Sequence, residues 1–424
     1  MPIYIALGGM LDGIDSIPYF WPIVRTLPWL VGLYLIKSFF AGRSNGSERK
    51  MHGRVVLVTG GTSGIGEAVV RNLASRGAQI VLLTQHALSD PFIVEYIDDV
   101  RKDTSNHLIT AEQVDLTSLH SIRTFATKWI DNAPPRRLDM IVLCANTLTP
   151  ASGKIASTAE GVELNWQVNY LANFHLLSIL SPALRAQPPD RDVRVLFGTC
   201  SSYLGGDLLH ITQPGPTPKN SGTSSSISPT SFSPANAYAT SKLAVTTFAL
   251  AFQKHLSSYK RPDNMPANIK VLLVDPGYCR TPGMRRWLSW GSLLGLLLYL
   301  IMYPLWYLVL KSPDMGAQSF LFGAMEEGII RSEGGVLIKE CGIRKFGRED
   351  VESEEAQKAL WGYSERMVQE AEQRGKVERD KVKRQEKDDK EEKEAVDEMK
   401  NYKEKVGKKG GGKVEGSRRS RKAG

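Results

Sequence analysis

Thr59-Gly60-Gly61-Thr62-Ser63-Gly64-Ile65-Gly66 is the stretch that decides the fold of this 424-residue chain. It follows an apolar run that predicts a strand, and it opens a run that predicts a helix. Gly60, Gly64 and Gly66 permit a tight turn and let backbone N–H groups approach a pyrophosphate at a helix N-terminus. A glycine-rich turn alone is a weak signal, but between a first strand and a first helix it strongly indicates such a site.

Outward from this turn, strand and helix patterns alternate along the chain. Short apolar runs predict strands at 54–59, 78–84, 108–114, 138–145, 193–199, 269–274 and 335–338, and amphipathic runs predict helices at 64–76, 91–102, 119–130, 160–181, 236–255 and 314–327. Strands that alternate with helices at this spacing form a parallel sheet covered on both faces. With right-handed crossovers, the predicted fold class is α/β, a doubly wound parallel sheet (Rossmann).

The predicted helix at 236–255 carries Tyr238 and Lys242. Their i, i+4 spacing places the phenol and the ammonium on one helix face. A free phenol has a pKa of about 10, too high for proton transfer at neutral pH, but a nearby cation lowers that pKa. Tyr238 is therefore a candidate acid or base. A surface Tyr and a solvated Lys on an ordinary helix are the alternative, which this spacing alone does not exclude.

Composition and charge exclude several classes of protein. The four Cys form no C-x-x-C pair and the seven His show no metal-ligand spacing, so we expect no metal site, no disulfide framework and a reducing compartment. Residues 376–424 carry 18 Lys or Arg against 12 Asp or Glu, so most of the net charge of +9 lies at the end of the chain. We therefore expect no nucleic-acid partner.

Residues 1–50 are predicted to form a hydrophobic N-terminal anchor. The stretch 17–41 is rich in aromatic and aliphatic side chains, but Arg25 and Lys37 interrupt it. The uncharged run of 11 residues between these two charges is shorter than the span of about 20 residues that a bilayer requires. We expect an interfacial or hairpin anchor, and a helix buried against the domain is the alternative.

A second apolar segment, 287–310, carries no charge. Its length would suffice for a bilayer span, but a single crossing would place the next predicted helix and strand on the wrong side of the membrane. We expect a lid that dips into one leaflet, with bends at Gly291, Gly295 and Pro304. A lid buried against its own domain or against a homodimer partner is the alternative.

The main domain is predicted at 51–350. Residues 211–235 are rich in Pro, Ser, Thr and Gly, which predicts a disordered surface insertion. From 351 to 424 the chain is highly charged and indicates a solvated helical or disordered tail.

Further motifs make the chain resemble a known family. They are GVELNWQVNYL at Gly161–Leu171, Asp275-Pro276-Gly277 and SPDMGAQ at Ser312–Gln318, in addition to the glycine turn and the Tyr238–Lys242 pair. Over residues 53 to 345 the chain resembles the short-chain dehydrogenase/reductase family, and within it the membrane-associated, retinol-dehydrogenase-like branch with its fungal relatives. The resemblance implies an oxidoreductase that uses a nicotinamide cofactor.

The resemblance implies a catalytic set of Asn169, Ser202, Tyr238 and Lys242. Ser201 and Ser202 both follow the fifth strand, and the double-Ser pattern of the family favours Ser202, which would hydrogen-bond the substrate oxygen. Tyr238 would transfer the proton. Lys242 would bind the nicotinamide ribose and depress the Tyr238 pKa, and Asn169 would hold a water in the proton path.

The resemblance also implies the cofactor contacts: Asp115 would touch the adenine, and Thr281 the nicotinamide amide. The implied cofactor-binding residues are Gly60, Ser63, Gly64, Ile65, Gly66, Asp115, Asn146, Tyr238, Lys242, Cys279 and Thr281. The chain departs from the family at Leu143-Cys144-Ala145-Asn146, where the family has N-N-A-G. The fold-stabilising Asn is missing, and Asn146 replaces a glycine that passes close to the cofactor.

The end of the second strand, Leu83-Thr84-Gln85-His86, bears on cofactor choice. It lacks the Asp or Glu that binds the ribose 2′-hydroxyl of NAD, so nothing in it repels a 2′-phosphate. It also lacks an Arg that would bind that phosphate. The stretch favours NADP(H) and leaves NAD open.

These expectations combine into one prediction. The chain would be an NADP-dependent oxidoreductase that acts on CH–OH groups and interconverts an apolar carbonyl with its alcohol. Its substrate would be a sterol, a retinoid or a long-chain aldehyde or ketone. It would associate with the cytosolic face of the endoplasmic reticulum or a lipid droplet. The alternative is a catalytically silent membrane-surface scaffold with the same fold.

Overall fold

The computed structural model describes residues 19–150, 153, 156–208, 234–265 and 268–410. The chain divides into two compact units, of which the first ends at Glu372 and the second begins at Gln373. The predicted insertion at 211–235 lies outside the described residues up to 233. Pro234 and Ala235 already belong to a helix that begins at Pro234, so the predicted insertion extends two residues too far.

The described part of the chain forms a sheet of eight strands with helices around it. The strands are β1 Val55–Thr59, β2 Gln79–Thr84, β3 Ile109–Gln113, β4 Met140–Leu143, β5 Val193–Gly198, β6 Ile269–Asp275, β7 Val336–Lys339 and β8 Ile343–Arg344. The α-helices are α1 Phe20–Ala41, α2 Gly64–Ser75, α3 Pro91–Thr104, α4 Leu119–Ile130, α5 Leu164–Arg185, α6 Pro234–Ser257, α7 Pro282–Leu288, α8 Leu293–Ile301, α9 Tyr303–Val309, α10 Pro313–Met325 and α11 Glu354–Gly410.

The strand order confirms the predicted doubly wound α/β sheet. The order is β3-β2-β1-β4-β5-β6-β7-β8, and neighbouring strands are parallel except for β7 and β8. The chain direction across the sheet reverses between β1 and β4, and such a reversal opens a crevice at the carboxyl ends of the strands. The antiparallel edge strand β8 was not predicted, because its two residues carry no periodic pattern.

Both faces of the central strands β1 and β4 are buried, which explains why these strands are almost continuously apolar. In β1, Val55 and Leu57 belong to the core cluster formed with α4, α5, α6 and the start of α11. Val56 and Val58 belong to the opposite cluster, formed with α2, α3 and α10. Since successive residues of a strand point to opposite faces, a strand covered on both sides needs apolar residues at every position.

Helix α5 differs from the predicted helix at 160–181 in its start and in its regularity. It begins at Leu164 because the Glu163 carboxylate accepts hydrogen bonds from the N–H groups of Asn165 (2.9 Å) and Trp166 (2.7 Å). Residues Gln167–Leu171 form a π-helical turn within the helix. Such turns often occur at functional sites, and this one contains Asn169.

Helix α1 is a continuous helix of 22 residues, and none of them is buried. Among the described helices it is the one long and apolar enough to cross a membrane, with a mean hydropathy of 1.3. Over residues 19–50, the described part of the anchor, the structure therefore shows neither a hairpin nor a helix packed inside the domain. Residues 42–50 then contact the domain at two places. The Arg43 N–H donates to the Glu340 carboxylate over 3.1 Å, and Arg49 pairs with Asp192 over 2.5 Å. Helix α1 thus joins the domain beside the carboxyl ends of the strands.

The apolar segment at 287–310 is broken into parts of three helices, α7, α8 and α9. The first break lies at Trp290 and Gly291, which both have positive φ (51° and 67°). Pro304 lies in the first turn of α9, where a proline is tolerated. Gly295 is not a bend as predicted, because it lies inside α8, where a Cβ would collide with the Ser289 carbonyl.

The charged tail predicted from 351 onward begins later than expected. In the first part of α11, Leu360, Met367 and Ala371 are buried in the core of the first unit. Their spacing places them on one helix face. The hydroxyl groups of Tyr170 and Ser364 also share a buried hydrogen bond of 2.6 Å. The first unit therefore includes α11 up to Glu372.

Candidate functional site

A cavity of about 310 Å³ lies at the carboxyl ends of β1, β4, β5 and β6. It contains seven of the predicted site residues: Ile65, Asn146, Ser202, Tyr238, Lys242, Cys279 and Thr281. The other predicted residues do not line it: Gly60, Ser63, Gly64, Gly66, Asp115 and Asn169. Much of the remaining wall is apolar and includes Leu148, Met284, Trp287 and Phe320.

The glycine turn has the geometry that a pyrophosphate requires. Gly60 and Gly64 have positive φ (66° and 61°), and a Cβ on Gly66 would collide with the Gly60 carbonyl. Ser63 stands at the N-cap of α2 without a side-chain hydrogen bond to the helix. The first N–H groups of α2 therefore receive no acceptor from the side chain of the cap residue, and a helix N-terminus of this kind binds phosphate groups. These residues fit a dinucleotide.

Asp115 and Thr281 have different surroundings. Asp115 follows β3, and its Oδ1 accepts hydrogen bonds from the backbone N–H (2.8 Å) and hydroxyl (2.7 Å) of Thr117. Thr281 caps α7 by accepting from the Met284 N–H over 3.3 Å. It also lies against the glycine turn, since a Cβ on Gly64 would be 3.3 Å from its methyl carbon. Of the two residues, Thr281 thus belongs to the cavity and to the turn at once.

Tyr238 and Lys242 lie in the same cavity on α6, and burial dominates the electrostatics of both. Burial raises the pKa of Tyr238 well above its ordinary value, and the nearby Cys200 raises it further. The Lys242 ammonium donates to the Gly198 carbonyl over 3.0 Å and lies 5.7 Å from the centre of the Tyr238 ring. Burial lowers the pKa of Lys242. Burial disfavours the charged form of both groups, which is why it raises the pKa of the phenol and lowers that of the ammonium.

Ser201 and Ser202 point in different directions from the 3₁₀ turn that follows β5. The Ser201 hydroxyl donates to Asp275 over 2.7 Å and accepts from the Lys339 ammonium over 2.8 Å. Ser202 lines the cavity, and within the described residues its hydroxyl forms no hydrogen bond. The geometry therefore favours Ser202 over Ser201 as the hydroxyl that meets a ligand.

Asn169 connects three elements behind the cavity. Its side-chain amide donates to the Thr147 carbonyl (3.0 Å) and to the Ser241 hydroxyl (3.1 Å), and its Oδ1 accepts from the Thr147 N–H (2.7 Å). Its own backbone carbonyl accepts from the Asn173 side chain over 2.7 Å. These bonds hold the loop after β4 against α5 and α6.

The loop after β4, where the chain departs from the family pattern, passes very close to the glycine turn. A Cβ on Gly60 would lie 2.6 Å from the Ala145 nitrogen. Cys144 replaces the usual Asn here, and burial raises the pKa of its thiol to about 12. Burial likewise raises the pKa of the Cys279 thiol to about 12. Both cysteines are therefore neutral packing groups at physiological pH.

Sequence reasoning missed two contacts with the Tyr238 hydroxyl. The Asn146 amide donates to it over 3.3 Å, and the Cys200 sulfur lies 3.5 Å from it. The resemblance assigns Asn146 to the cofactor and gives no role to Cys200. No periodic or motif signal connects either residue with Tyr238, because the contacts join separate strands and helices.

Comparisons with known proteins agree with this geometry. The family model for short chain dehydrogenases matches residues 54–193. The chain is 42% identical to an uncharacterised oxidoreductase of Schizosaccharomyces pombe over 344 residues, which are 80% of this chain and 88% of that one. It is 28% identical to retinol dehydrogenase 13 of Mus musculus over 343 residues (80% and 90%). It is 30% identical to polyprenol dehydrogenase of Mus musculus over 321 residues (74% and 84%).

Identity at this level over most of both chains indicates common descent and not merely a shared fold. The region that the family model matches contains the glycine turn and strands β1 to β4. This chain therefore belongs to the short-chain dehydrogenase/reductase family, and it is an oxidoreductase that acts on alcohol groups with a nicotinamide dinucleotide.

Proposed function

We propose that this protein uses NADP(H) to interconvert an apolar, lipid-like carbonyl compound and its alcohol at a membrane or lipid-droplet surface. The observation that carries the proposal is the composition of the cavity. Ser202 and Tyr238 share it with the apolar side chains of Leu148, Met284 and Trp287. Two relatives are named for apolar alcohols, retinol and polyprenol, which supports a substrate of this class.

The residues of the cavity suit the roles that we assign to them. The glycine turn and the N-terminus of α2 would hold the pyrophosphate, and Lys242 and Thr281 would hold the nicotinamide end. The bound cofactor supplies the hydride acceptor or donor. Ser202 donates a hydrogen bond to the substrate oxygen. Tyr238 Oη takes the proton of the alcohol in oxidation and returns it to the carbonyl oxygen in reduction.

The preference for NADP(H) rests on the end of β2. The carboxylate that follows this strand, Asp90, accepts from the Phe92 N–H (3.0 Å), and its other oxygen lies 3.1 Å from His86 Nδ1. Gln85 and His86 bring no further carboxylate to this position. A ribose 2′-phosphate is therefore tolerated better here than beside the unpaired Asp or Glu of an NAD-specific site.

The membrane proposal rests on exposed apolar side chains that lie beside the cavity. On α8, Leu293 is 87% exposed and Ile301 is 67% exposed, and α1 has no buried residue. The Lys37 ammonium donates to the Tyr307 carbonyl over 2.6 Å, which joins α1 to α9. Exposed apolar area of this extent marks a lipid or protein contact. Because Trp287 of α7 lines the cavity, an apolar substrate can enter from the lipid side. A homodimer that covers the same helices is the alternative.

Cofactor binding is the first test of this function. The experiment titrates detergent-solubilised protein with NADPH and NADH by fluorescence, using the wild type and Gly64→Arg. We expect NADPH to bind more tightly and the substitution to abolish binding. The wild type should then reduce retinal or a long-chain aldehyde, and Tyr238→Phe should lower kcat by about 10²–10⁴-fold. If well-folded wild type binds neither cofactor, the proposal fails and the scaffold alternative replaces it.

A further inference from the structure

The Tyr238 hydroxyl has an unusual set of neighbours. Within 3.5 Å it meets the Asn146 amide, from the loop after β4, and the Cys200 sulfur, from the turn after β5. The Lys242 ammonium from the same helix is bonded to the Gly198 carbonyl instead. The Asp275 carboxylate at the end of β6 is engaged by Ser201 (2.7 Å) and by Lys339 (3.0 Å).

These neighbours act on the phenol in opposite directions. Burial, Cys200 and Asp275 all raise the pKa of Tyr238, whereas the hydrogen bond from Asn146 lowers it. Donation to a phenolate is a charge-assisted hydrogen bond, which is stronger than donation to the neutral phenol. Asn146 therefore favours the ionised form, in which Tyr238 can accept the proton of an alcohol.

The position of Asn146 is fixed from both sides. Before it, the Ala145 N–H donates to the Thr59 hydroxyl over 3.3 Å. After it, the Thr147 N–H donates to Asn169 Oδ1 over 2.7 Å. The side-chain donor is thus presented to the cavity by a loop that β1 and α5 hold in place. A donor held in advance costs no reorganisation at the moment of reaction.

We propose that Asn146 is a catalytic residue whose side-chain amide donates a hydrogen bond to Tyr238 Oη and stabilises the phenolate during proton transfer. The proposal rests on the proposed role of Tyr238 in proton transfer. In alcohol oxidation the phenolate takes the hydroxyl proton, the alcohol O–H bond breaks, and a phenol O–H bond forms. A nicotinamide held by Lys242 and Thr281 would supply the acceptor for the carbinol hydrogen and its electron pair. The departure from the family pattern at this position thereby supplies a donor that a glycine lacks.

The test compares three substitutions of Asn146 in the full-length, detergent-solubilised protein. Asn146→Leu keeps a similar volume without a donor, Asn146→Asp keeps the shape but brings an acceptor, and Asn146→Gly restores the residue of the family pattern. The measurements are the NADPH dissociation constant by fluorescence and the pH profile of kcat for oxidation of retinol in micelles. Cys200→Ala is the opposing control, because it removes a group that raises the Tyr238 pKa.

The kcat of Asn146→Leu is measured at saturating cofactor, so that a change in cofactor affinity is separated from the effect on proton transfer. The alkaline rise of kcat should move up by about one pH unit, which lowers kcat about tenfold at a fixed pH on that rise. Asn146→Asp should move the rise further, because a carboxylate repels the phenolate. Cys200→Ala should move it to lower pH.

Two results would overturn the proposal. If Asn146→Leu and Asn146→Gly keep the wild-type pH profile while Tyr238→Phe is inactive, then Asn146 has no role in proton transfer. If Asn146→Gly raises kcat without moving the profile, the side chain merely crowds the cavity. An active Tyr238→Phe variant, by contrast, refutes the proposed function itself and this inference with it.

Discussion

Arg280 and Lys311 join the two ends of the apolar segment that contains α7, α8 and α9. The Arg280 N–H donates to the Lys311 carbonyl over 2.9 Å, and the Lys311 N–H donates to the Tyr278 carbonyl over 3.0 Å. Residues 281–310 therefore leave the domain and return to it at one place. A single crossing of a bilayer is excluded, because α10 and β7 after the segment pack on the same sheet as the strands before it.

This closed excursion predicts shallow insertion of α8 into lipid. A polarity-sensitive dye on Leu293→Cys, in a Cys341→Ser background, should shift its emission to the blue when vesicles are added. A water-soluble quencher should then quench the dye several-fold less than it does without vesicles. The matched control is Leu108→Cys. Leu108 is also exposed, but it precedes β3, the edge strand at the other end of the sheet from β8. Equal quenching at both positions in the presence of vesicles would contradict the prediction.

The glycine turn predicts a steric effect on cofactor binding. Gly66→Ala should weaken NADPH binding at least about tenfold and cost about 1–3 kcal/mol of stability, because its Cβ collides with the Gly60 carbonyl and forces the turn to shift. Gly205→Ala is the control, since its Cβ would meet no atom within 4 Å. Fluorescence titration and thermal unfolding check both effects. Wild-type affinity in Gly66→Ala would show that the turn does not hold the cofactor.

The two serines after β5 predict different kinetic effects. Ser202→Ala should lower kcat about 10²-fold, as loss of a hydrogen bond to the reacting oxygen does elsewhere. Ser201→Ala should cause a smaller loss, because its hydroxyl contacts Asp275 and Lys339 and not the cavity. Steady-state kinetics measures the kcat of both variants, and we expect their NADPH affinity to be unchanged. The reverse order of effects would move the catalytic role to Ser201.

The buried first part of α11 predicts that a substitution there destabilises the first unit. Leu360→Ala should lower the free energy of unfolding by about 2–5 kcal/mol, because the side chain is buried in the core. Val396→Ala, an exposed position on the same helix in the second unit, should change it by less than about 0.5 kcal/mol. Urea unfolding followed by fluorescence measures both. Small and equal effects of the two substitutions would mean that the domain ends near residue 350.

The end of β2 predicts a change of cofactor preference. Gln85→Asp should weaken NADPH binding at least about tenfold and leave NADH binding within about threefold, since a carboxylate repels the 2′-phosphate but accepts a hydrogen bond from the 2′-hydroxyl. Gln85→Asn carries no charge and is the control. Fluorescence titration with both cofactors gives the ratio. An unchanged ratio in Gln85→Asp would locate the adenosine ribose away from this residue.

Local pattern was sufficient for most of the fold. The predicted helix at 119–130 has the bounds of α4, and the strands β1, β2 and β5 begin and end within one residue of prediction. These elements have strong periodicity and clear end signals such as the Ser118 cap of α4. The prediction missed β8, because the periodicity there is weak. It assigned the start of α11 to the tail, because a charged surface conceals a buried face.

The sequence by itself predicted the parallel sheet, because the strand and helix patterns lie within single segments, and its motifs carried the resemblance to the family, which implies the roles of Tyr238, Lys242 and Ser202. Tertiary structure alone decided what surrounds the Tyr238 hydroxyl. Asn146 and Cys200 reach it from the ends of β4 and β5, and burial raises the pKa of Tyr238. The physical reason is that hydration and hydrogen bonds depend on distances between segments, which pattern along one segment does not contain.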